Sequence, residues 1–316
     1  MLIVILFLFL VVFLSFYFLY SPKVKKPDID IIEISDSLEI DGVKRDFFAT
    51  IPKKHKADMP LVFVFHGTMQ NGKVVREAAG YEFDEIAENE GFVVVYPNAY
   101  KGSWNDARKV GDYPARRENI NEAEFVRKMI QYFQLKYNID PKKVFGVGFS
   151  NGGQLVHRLA SEIPGEFKAF AAIMATRPTI DNFIGKETDG EVPMLLIAGT
   201  SDSVVPYHGG VIQLFFMKPR GTAMSAYESA DFYAKRNGIY SAPIAKFLPH
   251  NTQSRDTAVI QVSYKGEGKK PVELYTAVGV GHVIPNKNKR FPRLMGKSTA
   301  DLDAPKEIWK FFKQFI

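Results

Sequence analysis

One serine set between glycines, six histidines and a scatter of aspartates are the residues of this chain that could do covalent chemistry. Gly148-Phe149-Ser150-Asn151-Gly152 forms a G-x-S-x-G pattern inside the stretch from Val144 to Gly153. A β-prone apolar run leads into it, and a helical pattern from Gln154 to Glu162 leads out. That context suits a sharp strand-to-helix turn holding a serine Oγ exposed above a sheet. Glycines are needed there because a side chain would meet the adjoining strand and helix. A serine hydroxyl is a weak nucleophile at neutral pH and needs an adjacent base, which needs an orienting carboxylate. The chemistry on offer is acyl transfer through a covalent acyl-serine.

At sites of this kind the partners follow in the order serine, acid, histidine. His55 precedes the first buried strand, His66 precedes the serine, and His157 lies in the helix that follows it. His208 comes too soon after the acid loop to sit on a separate strand end, and His250 lies in a polar, irregular segment. His282 follows a strand expected over residues 272–276, in the flexible loop Gly279-Val280-Gly281-His282, and is the expected base. Asp202, just past a strand expected over residues 193–199, is the expected acid, with Asp181, Asp189 and Asp231 as weaker candidates. An oxyanion hole needs two backbone amides. Asn151, after the nucleophile, supplies one, and Thr68 in the His66-Gly67-Thr68 turn supplies the other. Trp104 and Tyr207 are expected to line the substrate cleft, with core packing as the competing role for each. No metal-ligand spacing of the H-E-x-x-H kind and no phosphate-binding glycine loop appears, so no metal and no cofactor is expected.

The elements that would position these residues alternate. Continuous apolar runs at Pro60–Phe65, Phe92–Tyr96, the approach to Ser150, Phe170–Met174 and Pro193–Gly199 read as strands covered on both faces. Between them, Glu82–Asn89 (stopped by Gly91) and Asn121–Tyr137 carry helical spacing. Helices are also expected at Ala223–Asn237 and Ala304–Ile316, and late strands at Val259–Tyr264 and Val272–Tyr275. Asp41-Gly42 between two strand-like runs is a hairpin signal. The fold class is therefore α/β, a mostly parallel central sheet with helices on both faces, and its ligand site lies beyond the carboxyl ends of the strands.

The 316 residues hold 46% hydrophobic and 24% charged side chains, an ordinary globular balance. With no cysteine, a disulfide framework, a thiolate zinc site and a cysteine nucleophile are excluded. The net charge of +6 comes from 41 basic and 35 acidic residues in scattered small groups, which reads as solvated surface and not a nucleic-acid face. Residues 1–20 are apolar apart from Ser15 and the tyrosine hydroxyls, long enough to cross a bilayer. Without a basic start or an A-x-A site, an uncleaved membrane anchor fits them better than a cleaved signal peptide. Residues 21–30 read as a linker and 31–316 as one catalytic domain. Lys23, Lys25 and Lys26 would, by the positive-inside rule, leave that domain in the cytoplasm.

HGTMQNG, YPNAYKGSWND, GFSNGGQLVHRLASE, GTSDSVVPYHGG and GVGHVIPN follow one another in this chain. In that order they resemble the polyhydroxybutyrate-depolymerase-like esterases, relatives of the feruloyl and acetylxylan esterases of carbohydrate esterase family 1. The resemblance extends over about residues 38 to 314 and takes in the closing FPRLMGKSTADLDAPKEIWKFF. It implies an α/β-hydrolase fold and carboxylic-ester hydrolysis, with Ser150 as nucleophile, Asp202 as acid and His282 as base. It also implies export, against the charge rule at the N-terminus. Two positions depart from the family pattern: Ile284 stands where a tryptophan is common and Asn286 where a glycine is. No polymer-binding module follows before Ile316, which points to soluble or oligomeric esters as substrates. Two rivals stand beside this reading: a serine peptidase of the same fold, and a non-catalytic binding protein that kept the fold.

Overall fold

The computed structural model describes residues 2–54, 57–254 and 256–316, with side chains from Val4 onward; His55 lies outside the described residues. Strands β1 (Ile31–Ile40) and β2 (Val43–Pro52) form the expected hairpin, and both turn residues have positive φ, Asp41 at 49° and Gly42 at 77°. That is the turn whose twist matches a two-residue hairpin. The parallel strands come next: β3 (Met59–Phe65), β4 (Val93–Pro97), β5 (Ile139–Phe149), β6 (Ala169–Ile173) and β7 (Met194–Gly199). Two short strands, β8 (Gly210–Val211) and β9 (Thr222–Ala223), pair with each other alone. The chain then adds β10 (Ile244–Phe247), β11 (Ala258–Tyr264) and β12 (Val272–Val278). The ten-stranded sheet runs β1-β2-β4-β3-β5-β6-β7-β12-β11-β10. Its middle, β4 to β12, is parallel, and each edge closes with antiparallel strands.

Helices cover both faces, as the alternating sequence requires. Along β3, Leu61, Phe63 and Phe65 point into one core, with α5 (Glu122–Tyr137), α6 (Asn151–Glu162) and α7 (Ala226–Arg236). Val62 and Val64 point into the other, with α2 (Gly72–Ala78), α3 (Glu82–Glu90) and α8 (Ala304–Phe312). The single-turn α4 (Pro114–Arg117) lies apart from these layers, with its Ala115 in a small separate cluster beside Tyr113 and Ile120. Caps follow the sequence signals: Asn121 accepts the Glu124 amide, Ser225 and Glu228 close a capping box, and Gly91 ends α3 in the left-handed region.

Helix α1 (Leu2–Leu19) precedes this domain, and its residues from Val4 on are exposed. Among the described residues no helix is long and apolar enough to cross a membrane, so the transmembrane anchor expected over residues 1–20 is not supported.

Candidate active site

Ser150 sits where β5 gives way to α6, with φ 55° and ψ −116°. A non-glycine residue held there stores backbone strain that the surroundings must over-determine. Close packing does so. A Cβ on Gly148 would fall 2.1 Å from the Gly152 carbonyl oxygen, and one on Gly152 would fall 2.2 Å from that of Phe65. The Ser150 amide donates to Ile173 O at 2.9 Å, pinning the turn to β6.

Ser150 Oγ lies 2.8 Å from His282 Nε2, and His282 Nδ1 lies 2.7 Å from Asp202 Oδ2. With the ring proton on Nδ1 facing the carboxylate, Nε2 is free to accept the serine proton. The other carboxylate oxygen, Oδ1, accepts the amides of Val204 at 2.8 Å and Val205 at 2.9 Å, fixing the acid in its loop. His282 is held by its own amide, which donates to Met295 O at 2.8 Å, while its ring lies against Phe149. Asn286, the departure noted in the base loop, is buried and ties that loop to the end of α2. Its Nδ2 donates to Ala78 O at 2.9 Å, and its Oδ1 accepts the amides of Asn288 and Lys289. Asp181 and Asp189 are exposed, and Asp231 pairs with Lys235; none of the three reaches His282.

Thr68 and Asn151 line one small cavity with Ser150, Arg108, Gln154, Val204 and Arg220. Its volume is about 20 Å³, room for little more than one water. The Asn151 amide is at the first position of α6, where a backbone N–H has no intrahelical acceptor. The Asn151 side chain belongs to a buried network. Its Oδ1 accepts the Trp104 amide at 2.8 Å, and its Nδ2 donates to Asp106 Oδ2 at 2.5 Å. Asp106 in turn forms a buried ion pair with Arg108 at 2.5 Å. Burial alone would raise the Asp106 carboxyl, but the Arg108 guanidinium outweighs it and holds the group below its usual value.

Trp104 and Tyr207, expected in the cleft, are both buried side chains. Trp104 is fully buried; its Nε1 donates to His66 O at 2.9 Å and its ring meets Phe65 edge-on. Tyr207 is buried too, with its hydroxyl 2.8 Å from Thr276 Oγ1. Both are core, and neither borders the Ser150 cavity. Trp104→Ala should therefore cost about 3–5 kcal/mol of stability, measured by urea denaturation, and not simply shift ester preference.

Two other histidines are buried and neutral. His66 Nδ1 donates to Gly67 O while Nε2 accepts the Ala99 amide, and burial lowers its pKa from 6.5 to about 4. His157 sits between Tyr233 OH and Ala175 O, and burial lowers its pKa to about 3. Below pH 6.5 the unfolded chain takes up protons that these rings refuse, so stability rises with pH there. The urea midpoint should accordingly fall as pH drops from 6.5 toward about 4, and His157→Gln should flatten that slope. His208 is exposed, and exposed His250 pairs with Asp301 at 3.0 Å.

Asp106, Arg108, Arg220 and the pinning role of Asn286 were not singled out by the sequence. Asp106 at least stands in the loop motif YPNAYKGSWND; Arg220, in a Lys-Pro-Arg-Gly stretch, looks like surface.

Residues 48–216 match the sequence model of the dienelactone hydrolase family. The chain is 28% identical over 176 residues to a bifunctional acetylxylan esterase/xylanase of Neocallimastix patriciarum, covering 55% of this chain and 24% of that protein. It is 26% identical over 230 residues to a feruloyl esterase B of Piromyces equi, covering 71% of this chain and 39% of that protein. The chain thus spans well under half the length of these relatives. Among solved structures, an acetyl xylan esterase from Aspergillus awamori shares the fold, with a TM-score of 0.56 over 89% of this chain and 99% of that one, at 15% identity.

Proposed function

The chain belongs to the dienelactone hydrolase family, and from that membership and the geometry at Ser150 we propose that it is a serine esterase cleaving carboxylic esters. The observation that carries this reading is the unbroken line from Ser150 Oγ through His282 to Asp202, 2.8 Å and 2.7 Å, on a strained strand-to-helix turn.

In this reading Ser150 Oγ attacks the ester carbonyl as its proton passes to His282 Nε2. Asp202 keeps the ring in the required tautomer and stabilises the imidazolium. The amides of Thr68 and Asn151 bind the oxyanion. His282 then protonates the leaving alcohol, and an acyl-serine remains. Water enters, gives a proton to His282, and releases the acid as the proton returns to Ser150 Oγ. Val204, Val205, Ile212 and Leu214 wall the cavity beside Ser150 and give an acyl group apolar side chains to lie against. Soluble or oligomeric esters are the proposed substrates, in keeping with relatives named as acetylxylan and feruloyl esterases. Residues 31–316 are the proposed catalytic domain. Export belongs to the same reading, and residues 1–20, apolar and exposed from Val4 on, are the segment it would use.

Turnover of p-nitrophenyl esters from acetate to octanoate, with wild type beside Ser150→Ala, tests the proposal. Hydrolysis that vanishes in the variant supports it, and the chain-length profile defines the acyl preference. A folded wild type inert on every ester, aromatic esters included, overturns it.

A further inference from the structure

Arg220 is only 7% exposed and lies on the loop joining β8 to β9. It lines the Ser150 cavity together with Thr68 and Asn151. Its Nη1 donates to Thr68 Oγ1 at 2.6 Å, and the guanidinium lies 5.3 Å from the centre of the Tyr113 ring. Among the described residues no carboxylate forms an ion pair with it, because the nearby Asp106 is taken by Arg108. A cation so nearly buried with no counter-charge is expensive, and burial, then Arg108, lowers its pKa. A guanidinium nonetheless stays charged. The site therefore carries a fixed positive charge at the wall where Thr68 stands, with no resident anion to match it.

That charge has a partner only during the reaction. The anion that can form there is the oxygen of the tetrahedral intermediate. We propose that Arg220 is a positioning residue of the oxyanion hole, fixing the Thr68 amide through Thr68 Oγ1 and placing a positive charge on the side where the oxyanion develops. This rests on the serine esterase reading above. Arg220 also joins two segments: the β8–β9 loop, whose Ile212 and Leu214 wall the same cavity, and the turn after β3 that carries Thr68.

Steady-state kinetics of the full chain on p-nitrophenyl acetate and on an anionic p-nitrophenyl hemisuccinate, with Arg220→Met, Arg220→Lys, Thr68→Val and Thr68→Ser, test the proposal. Losing one oxyanion donor costs about 10²–10³ in kcat, so a residue acting through such a donor should cost about 10–100-fold. The expected result is that loss in kcat for Arg220→Met, with KM within about threefold and the same factor on both esters. Arg220→Lys, which keeps the charge, should recover most of it. Thr68→Val should lose about tenfold more in kcat than Thr68→Ser, which keeps the hydroxyl that Arg220 holds. A KM increase with kcat intact, a loss confined to the anionic ester, or a lysine variant no better than methionine would overturn the proposal. Should Arg220→Met fail to fold, the Thr68 pair decides in its place, and equal rates for Thr68→Val and Thr68→Ser count against the proposal. Failure of the parent reading looks different: wild type and Ser150→Ala would then be equally inactive.

Discussion

Ser150→Ala lowers kcat on p-nitrophenyl acetate by about 10⁴-fold or more while the protein stays folded. The size of the effect follows from the chemistry. Without Oγ there is no atom to form the acyl-enzyme, and what is left is the rate that oxyanion donors and binding give to direct attack by water. The survival of the fold follows from the contacts. Ser150 caps α6 without any side-chain cap bond, and its hydroxyl is engaged by His282 alone among the described residues. Alanine keeps the Cβ that the turn already accommodates at φ 55°, and the Ser150 amide still donates to Ile173 O. The check is kcat beside a urea melt of both proteins. A loss below about tenfold would show that Ser150 is not the nucleophile. A melt shifted by several kcal/mol would show that the loss is structural.

Ser150, Asp202 and His282, which the structure brings into one hydrogen-bonded line, could be picked out in the sequence because each is marked locally. Ser150 carries its glycines with it, and those glycines are demanded by contacts within a few residues or with the neighbouring strand. Asp202 and His282 follow apolar runs that could only be strands of a parallel sheet, so chain order placed them at one edge. The hairpin at Asp41-Gly42 was legible for the same reason: its turn chemistry is contained in two residues. What was not legible depends on partners far away in the chain. Trp104 in a polar loop looks like a cleft residue until its Nε1 is seen to reach His66 O, 38 positions earlier. Tyr207 likewise hides its hydroxyl against Thr276. Arg220 reads as a surface cation, and only the folding-over of the β8–β9 loop brings it 2.6 Å from Thr68 Oγ1. Strand β10 escaped for the opposite reason: all four residues, Ile244 to Phe247, are exposed, so no buried alternation marks them.

Asp106→Ala should destabilise the fold by about 3–5 kcal/mol, among the largest effects of any single substitution here. Asp106 is fully buried and accepts from Arg108 Nε at 3.0 Å, Arg108 Nη2 at 2.5 Å, the Arg108 amide at 3.0 Å and Asn151 Nδ2 at 2.5 Å. Removing the carboxylate leaves Arg108 as a buried charge without its partner, beside a second cation, Arg220, that has no carboxylate paired with it among the described residues. It also frees the side chain of Asn151, which holds the Trp104 amide and stands at the first position of α6. Stability and catalysis should therefore fall together, the first in the urea midpoint and the second in kcat of the protein that remains folded. Asp106→Asn separates the two: one carbonyl oxygen can still accept from Asn151, so kcat should recover further than stability does, because the charge on Arg108 stays unbalanced. The exposed pair of Asp112 with Arg117, 2.6 Å apart, is the internal contrast. Water and salt screen it, and Asp112→Ala should leave both readouts where they were. If Asp106→Ala behaved like Asp112→Ala, the buried network would not be what holds Asn151 beside the serine.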